Sequence, residues 1–313
     1  MRFAKGSAAA GVAVWLLLLP AVTSDSRETE LIHKVLFFAT FVIVPLCLSL
    51  IPADVQHGLA LYRVVVFAQP FAALLTAASF FFVTGPLAAS LSIAWLIFTG
   101  LVALLGLTRF WSRGLYQLHE LSIDAGLVYL PVAGVWLVIY RYGIQPFDFG
   151  ETIILLTVVH FHFAGFAAPI IAGLGGRVLA TKRHPARLFG VVVFALVAAM
   201  PLVAAGITFS PWLGLIGTIL LTAGLFTLAL LTIRYVVPAV NPLARRLLLF
   251  AGALSSCTAM VLACLYAYSL ATRTLILDIP TMAMTHGLLN AFGFVTCSLL
   301  AWTTFSKPAP HVT

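Results

Sequence analysis

The sequence predicts an all-α, polytopic transmembrane helix bundle of about ten spans, or nine if the first is a cleaved signal peptide. Three observations carry that expectation. Hydrophobic residues make up 62% of the 313 and charged residues 8%, whereas a water-soluble domain carries roughly a quarter Asp, Glu, Lys and Arg. The mean hydropathy is +1.12. The apolar residues also gather in runs of about 20, the length that crosses a hydrocarbon core at 1.5 Å per residue. A net charge of +8 would point to nucleic acid in a soluble protein. In a membrane protein it reports orientation, and no nucleic-acid partner is expected.

The spans fall at 7–23, 32–52, 61–84, 87–107, 121–141, 150–172, 188–206, 211–233, 247–270 and 281–302, with polar or Pro/Gly-marked joints between them. The first is ambiguous. Arg2 and Lys5, the apolar run from Gly11 to Leu19 and the small residues before Asp25 describe a spanning helix and a cleavable signal peptide equally well. Two joints are short enough to fix neighbours. Thr84-Gly85-Pro86 and Ser210-Pro211 are tight turns, so the helices on either side of each should pack antiparallel. The domain plan is therefore residues 1–24 as first span or signal peptide, 25–306 as one membrane domain and 307–313 as a short cytoplasmic tail.

Charge sidedness agrees with this count. Cytoplasmic loops carry an excess of Lys and Arg. With the N-terminus inside, every basic residue except Arg27, Lys34, Arg141 and Arg273 falls on the cytoplasmic side, including Lys182, Arg183 and Lys307. The expected location is the cell membrane, with both termini cytoplasmic if the first span is retained.

Ionisable groups within spans cost at least ~2.5 to 3.5 kcal/mol each, which makes each one a functional candidate. His160 and His162 lie in the middle of the sixth span. Residues i and i+2 sit about 200° apart on a helix, so these two should face different neighbours rather than share one metal. Ala164 and Gly165 would let a helix approach closely beside them. In the last span His286 and Asn290 are i, i+4 and Gly293 follows at i+7, giving one stripe with an imidazole, an amide and a gap. His160, His286 and Asn290 would line one cavity if those two spans are neighbours. At the start of the fifth span Glu120 and Asp124 share a face beside His119. They suit proton exchange if desolvated, or pairing with Arg109 or Arg113 if not. Glu151, beside Asp148, reads as a helix-start acid. Cys47, Cys257, Cys264 and Cys297 have no CxxC spacing and read as small hydrophobes. The basic stretch from Arg177 to Arg187 reads as orientation and contact with anionic headgroups.

The run from Tyr129 to Trp136, together with Leu156 to Phe166 and His286 to Phe294, resembles the YndJ-like family of bacterial membrane proteins. The resemblance implies one membrane domain built around His160, His162, His286 and Asn290. It names no substrate.

Three function classes compete. The favoured one is a membrane enzyme, a cyclase or isomerase, performing acid/base chemistry on a lipophilic small molecule such as an isoprenoid, polyketide or lipid. His160, His162, His286, Glu120 and Asp124 would be its acids and bases and Asn290 an orienting amide. The sequence implies no cofactor and no metal for it, and membrane lipids as its surroundings. The alternatives are a haem- or metal-binding redox protein and a proton-coupled carrier. Few imidazoles lie within spans to serve the first, and no internal repeat supports the second.

Overall fold

A chain with so few polar side chains can satisfy its backbone in hydrocarbon only by hydrogen bonding within each crossing segment. In the computed structural model all regular structure among the described residues is helical. The structure describes residues 2–24, 26–51, 58–181 and 186–304. The proposed cleavage point before Asp25, the basic residues Lys182, Arg183 and Lys307, and the tail at 307–313 lie outside the described residues.

The helices are α1 (Arg2–Leu18), α2 (Arg27–Leu50), α3 (Leu59–Ser79), α4 (Pro86–Arg113), α5 (Leu118–Tyr142), α6 (Glu151–Thr181), α7 (Ala186–Phe209), α8 (Pro211–Ala239), α9 (Leu243–Thr272) and α10 (Ile279–Thr303). Among the described residues α2 to α10 are long and apolar enough to cross a membrane. Several run past the expected bounds: α4 continues to Arg113, α6 to Thr181 and α8 to Ala239. The reason is physical, since hydropathy drops at the first charged residue whereas the helix continues into the interface. α1 runs five residues earlier than expected and stops at Leu18, two residues before Pro20.

Both tight turns join packed, antiparallel partners, α3 with α4 and α7 with α8. In the second pair Gly206 lies so close to Gly214 that a Cβ on Gly206 would sit 2.1 Å from the Gly214 Cα. α1 is stitched to the bundle. Lys5 Nζ donates to the Thr303 carbonyl at 2.8 Å, Ser7 Oγ to Gln69 Oε1 at 2.7 Å and Trp15 Nε1 to the Lys34 carbonyl at 2.8 Å. At the far end of the chain Asp278 caps α10. It accepts hydrogen bonds from Thr281, which hold its carboxyl below the usual carboxylate range.

α2 and α6 are the most enclosed helices, and α6 positions the site. Glycines of the neighbouring helices let α5 and α6 touch: a Cβ on Gly126 would fall 2.7 Å from the Phe166 carbonyl oxygen, and one on Gly173 2.4 Å from that of His119. Four spans widen locally into π-helix, a rare geometry that concentrates at functional positions. The widened segments are Ala39–Ile43, Phe161–Ala167, Thr232–Val236, and in α10 both Ala283–Gly287 and Leu289–Thr296. Three of them precede a proline by two residues, namely Pro45, Pro169 and Pro238. Proline lacks the N–H for an i−4 bond and its ring collides with that carbonyl, so a widened turn relieves both.

Candidate functional site

The two histidine motifs meet. His160 lies nine residues into α6 and His286 seven into α10, about 13 Å and 10 Å below the same face of the bundle at 1.5 Å per residue. Their rings are 6.1 Å apart between centroids and nearly parallel, at 20°. His160 Nδ1 donates to the Leu156 carbonyl one turn back, at 2.8 Å. That bond fixes the tautomer and leaves Nε2 as a lone-pair base, with no hydrogen-bond partner among the described residues. The side chain is exposed although it sits at mid-span.

His286 is held from both sides. Its Nδ1 donates to the Ala259 carbonyl of α9 at 2.8 Å, and its Nε2 accepts from Asn290 Nδ2 at 3.1 Å. The same Asn290 amide nitrogen reaches the His286 carbonyl at 3.2 Å, and the Asn290 side-chain oxygen has no hydrogen-bond partner among the described residues. The stripe read from the sequence is thus divided. His286 and Asn290 form one polar unit, while the gap at Gly293 receives α9, where a Cβ would meet Ser255 Oγ at 2.4 Å. Leu156, Val159, Ala283 and Leu288 flank these groups as partly buried apolar neighbours.

His162 points away from this pair, so the structure does not bring it together with the other two histidine-motif groups. Its side chain is fully buried. Nδ1 donates to the Val158 carbonyl at 2.8 Å and Nε2 accepts from Trp95 Nε1 of α4 at 3.0 Å. With both nitrogens engaged it has none to offer a substrate. Trp95, which the sequence did not single out, supplies that second bond. The π-helical turn starting at Phe161 separates the two imidazoles onto different neighbours.

The carboxylates take the other course open to them, pairing with Arg109 and Arg113. Glu120 and Asp124 belong to the opposite end of the bundle and do not join the histidines. Arg109 donates through Nε to Asp124 Oδ1 at 2.6 Å and through Nη2 to Glu120 Oε2 at 2.7 Å. Arg113 adds a bond to Glu120 at 3.0 Å, and Arg177 of α6 grips it at both oxygens, at 2.6 and 3.0 Å. These bonds tie α4, α5 and α6 together at this end of the bundle. From the sequence Arg177 reads as an orienting charge and a contact for anionic headgroups, not as a partner of Glu120; its place on the last turns of α6 is the signal that could mark it.

A further buried polar cluster enters the sequence reading only through the sidedness of Arg141. His33 Nε2 and the Tyr140 hydroxyl are 2.8 Å apart. Beside them Arg141, 5% exposed, donates to the Ser79 and Phe82 carbonyls at 2.7 Å and lies over the Phe80 ring. This cluster clamps the end of α3 to α5. Among the described residues no group of three or more His, Cys, Asp or Glu gathers as a metal-holding set.

The family described as YndJ-like protein matches residues 34–294, a stretch that contains both histidine motifs. The chain belongs to the YndJ-like family. It is 30% identical over 214 residues to the uncharacterized membrane protein YndJ of Bacillus subtilis (strain 168), an overlap covering 67% of this chain and 38% of that relative. The chain therefore spans well under two thirds of the length of that YndJ protein. No solved structure matches it. Membership of the YndJ-like family and the nine long apolar helices among the described residues make it an integral, multi-pass membrane protein.

Proposed function

We propose that this membrane protein is an enzyme that isomerises or cyclises a lipophilic small molecule by acid/base chemistry, with His160 as the base. One observation carries the reading. An accessible imidazole with an open Nε2 stands beside a second, hydrogen-bonded imidazole and an open amide oxygen, among apolar side chains. An apolar setting with few hydrogen-bonding groups favours a lipophilic ligand. A proton taken by His160 from one carbon and returned to another, by His160 or His286, rearranges the bonds of such a molecule. Nothing but the proton changes place, so no redox partner is needed. The Asn290 oxygen would accept a hydrogen bond from a hydroxyl on the ligand and orient it.

The test uses purified protein incubated with a membrane-lipid extract in deuterium oxide. The expected result is a new species at a shifted retention time, unchanged in mass except for incorporated deuterium. It should be absent with His160→Ala and with His286→Ala, provided both elute as monodisperse protein. Conversion that survives both substitutions would overturn the reading, as would a Soret band in the absorbance of the wild-type protein, because haem would then occupy these imidazoles.

A further inference from the structure

At the arginine-rich end of the bundle, remote from the histidines, a crevice of about 480 Å³ opens between the end of α6, the start of α9 and the end of α10. Arg245 lines it from the first turn of α9. A helix start disfavours cations, because its unpaired N–H groups already give it partial positive charge, and no acid stands in this first turn to compensate. The guanidinium lies over the Trp302 ring, 4.6 Å from its centroid. Its Nε is buried and, among the described residues, has no hydrogen-bond partner.

Among the described residues, nearby groups do not supply the missing anion. Arg246 donates to the Val240 carbonyl at 2.7 Å and to Asn241 Oδ1 at 3.0 Å. Arg177, also lining the crevice, is bound by Glu120 within a network where three guanidinium groups face two carboxylates. The mouth is thus cationic, while Leu174, Val178 and Trp302 make its walls apolar. Trp302 also borders a narrow apolar slot that continues inward. An orienting role explains why arginines lie on this side. It does not explain a half-buried guanidinium stacked on tryptophan over a crevice with an unused donor.

We propose that this crevice binds the phosphate headgroup of an anionic membrane lipid at Arg245, with an acyl chain laid against Leu174, Val178 and Trp302. Positive pockets between helix ends at the interface are suited to such headgroups. The site is independent of the acid/base reading, and either can fail without the other.

The experiment is native mass spectrometry of the detergent-purified full chain, titrated in separate arms with phosphatidylglycerol, phosphatidylcholine and inorganic phosphate. Wild type should retain phosphatidylglycerol over phosphatidylcholine by about five-fold or more, roughly what one interfacial arginine contributes. Millimolar phosphate should leave that retention unchanged. Arg245→Gln should bring the preference close to unity. Thr181→Glu, which sets a carboxylate on the rim without touching Arg245 or Trp302, should do the same if the Gln variant fails to fold. Equal retention of the two lipids by wild type would overturn the proposal, as would an undiminished preference in a folded variant. Full displacement by inorganic phosphate would show a free-anion site and overturn it as well.

Discussion

Replacing Arg109 by methionine removes the charge from the centre of the ionic network while keeping a side chain of similar reach. Arg109 is 2% exposed and joins Asp124 at 2.6 Å and Glu120 at 2.7 Å. The two carboxylates lose unequally. Glu120 keeps Arg113 and Arg177, whereas Asp124, 3% exposed, has Arg109 as its ion-pair partner. Stripping one member from a buried pair leaves an uncompensated charge and costs about 3 to 5 kcal/mol. At about 1.4 kcal/mol per tenfold, that lowers the folded-to-unfolded ratio by roughly two to three and a half powers of ten. The assay is the fraction that survives a graded heat step as a monodisperse size-exclusion peak. Arg109→Met should lower the midpoint sharply. Arg109→Met combined with Asp124→Leu should recover about half of the loss or more, since an apolar pair of similar volume tolerates the same burial and Glu120 is still neutralised. An unchanged midpoint in the single variant, or a double variant worse than either single, would refute the view that Arg109 is there to neutralise buried carboxylate.

Three other perturbations follow from the same geometry. Trp95→Phe leaves the fully buried His162 Nε2 without its donor and should cost about 1 to 3 kcal/mol in the same heat assay; a wild-type midpoint would mean that bond carries nothing. Gly11→Val places a Cβ 1.9 Å from the Phe41 carbonyl oxygen, so α1 must back away, whereas Gly6→Val meets nothing within 4 Å. Limited proteolysis should therefore release the N-terminal helix from the first variant and spare the second. Gly293→Val drives into Ser255 and should part α10 from α9, weakening the His286 bond to Ala259; loss of conversion with α10 still protected from proteolysis would locate the effect at the site.

How much was legible follows from what is local. Each span announces itself by its own hydropathy, so the order and approximate bounds of the helices are readable; interfacial ends such as those of α4, α6 and α8 run further, and the ends of α1 and α3 fall short of their apolar runs. The divergence of His160 and His162 follows from the angle between helix positions i and i+2, and Pro169 marks the widened turn that accompanies it. The π-helical run of α10 has no such marker, because no proline lies between Thr281 and Thr304; its close packing of Gly293 against Ser255 comes from another helix. Glu120 and Asp124 show the same limit. Their shared face and their pairing with Arg109 or Arg113 are readable locally, but the knot also takes in Arg177, 57 residues from Glu120.

By itself the sequence determined the solvent, the helices and the few side chains too costly to be idle, because length, hydropathy and helical angle act within one segment. The tertiary structure alone decided which of those side chains share a space. Between spans there is no hydrophobic driving force to select neighbours; close packing at small residues and interhelical hydrogen bonds do so instead. Those contacts brought His160 to His286, gave His162 to Trp95 and tied the carboxylates to arginine.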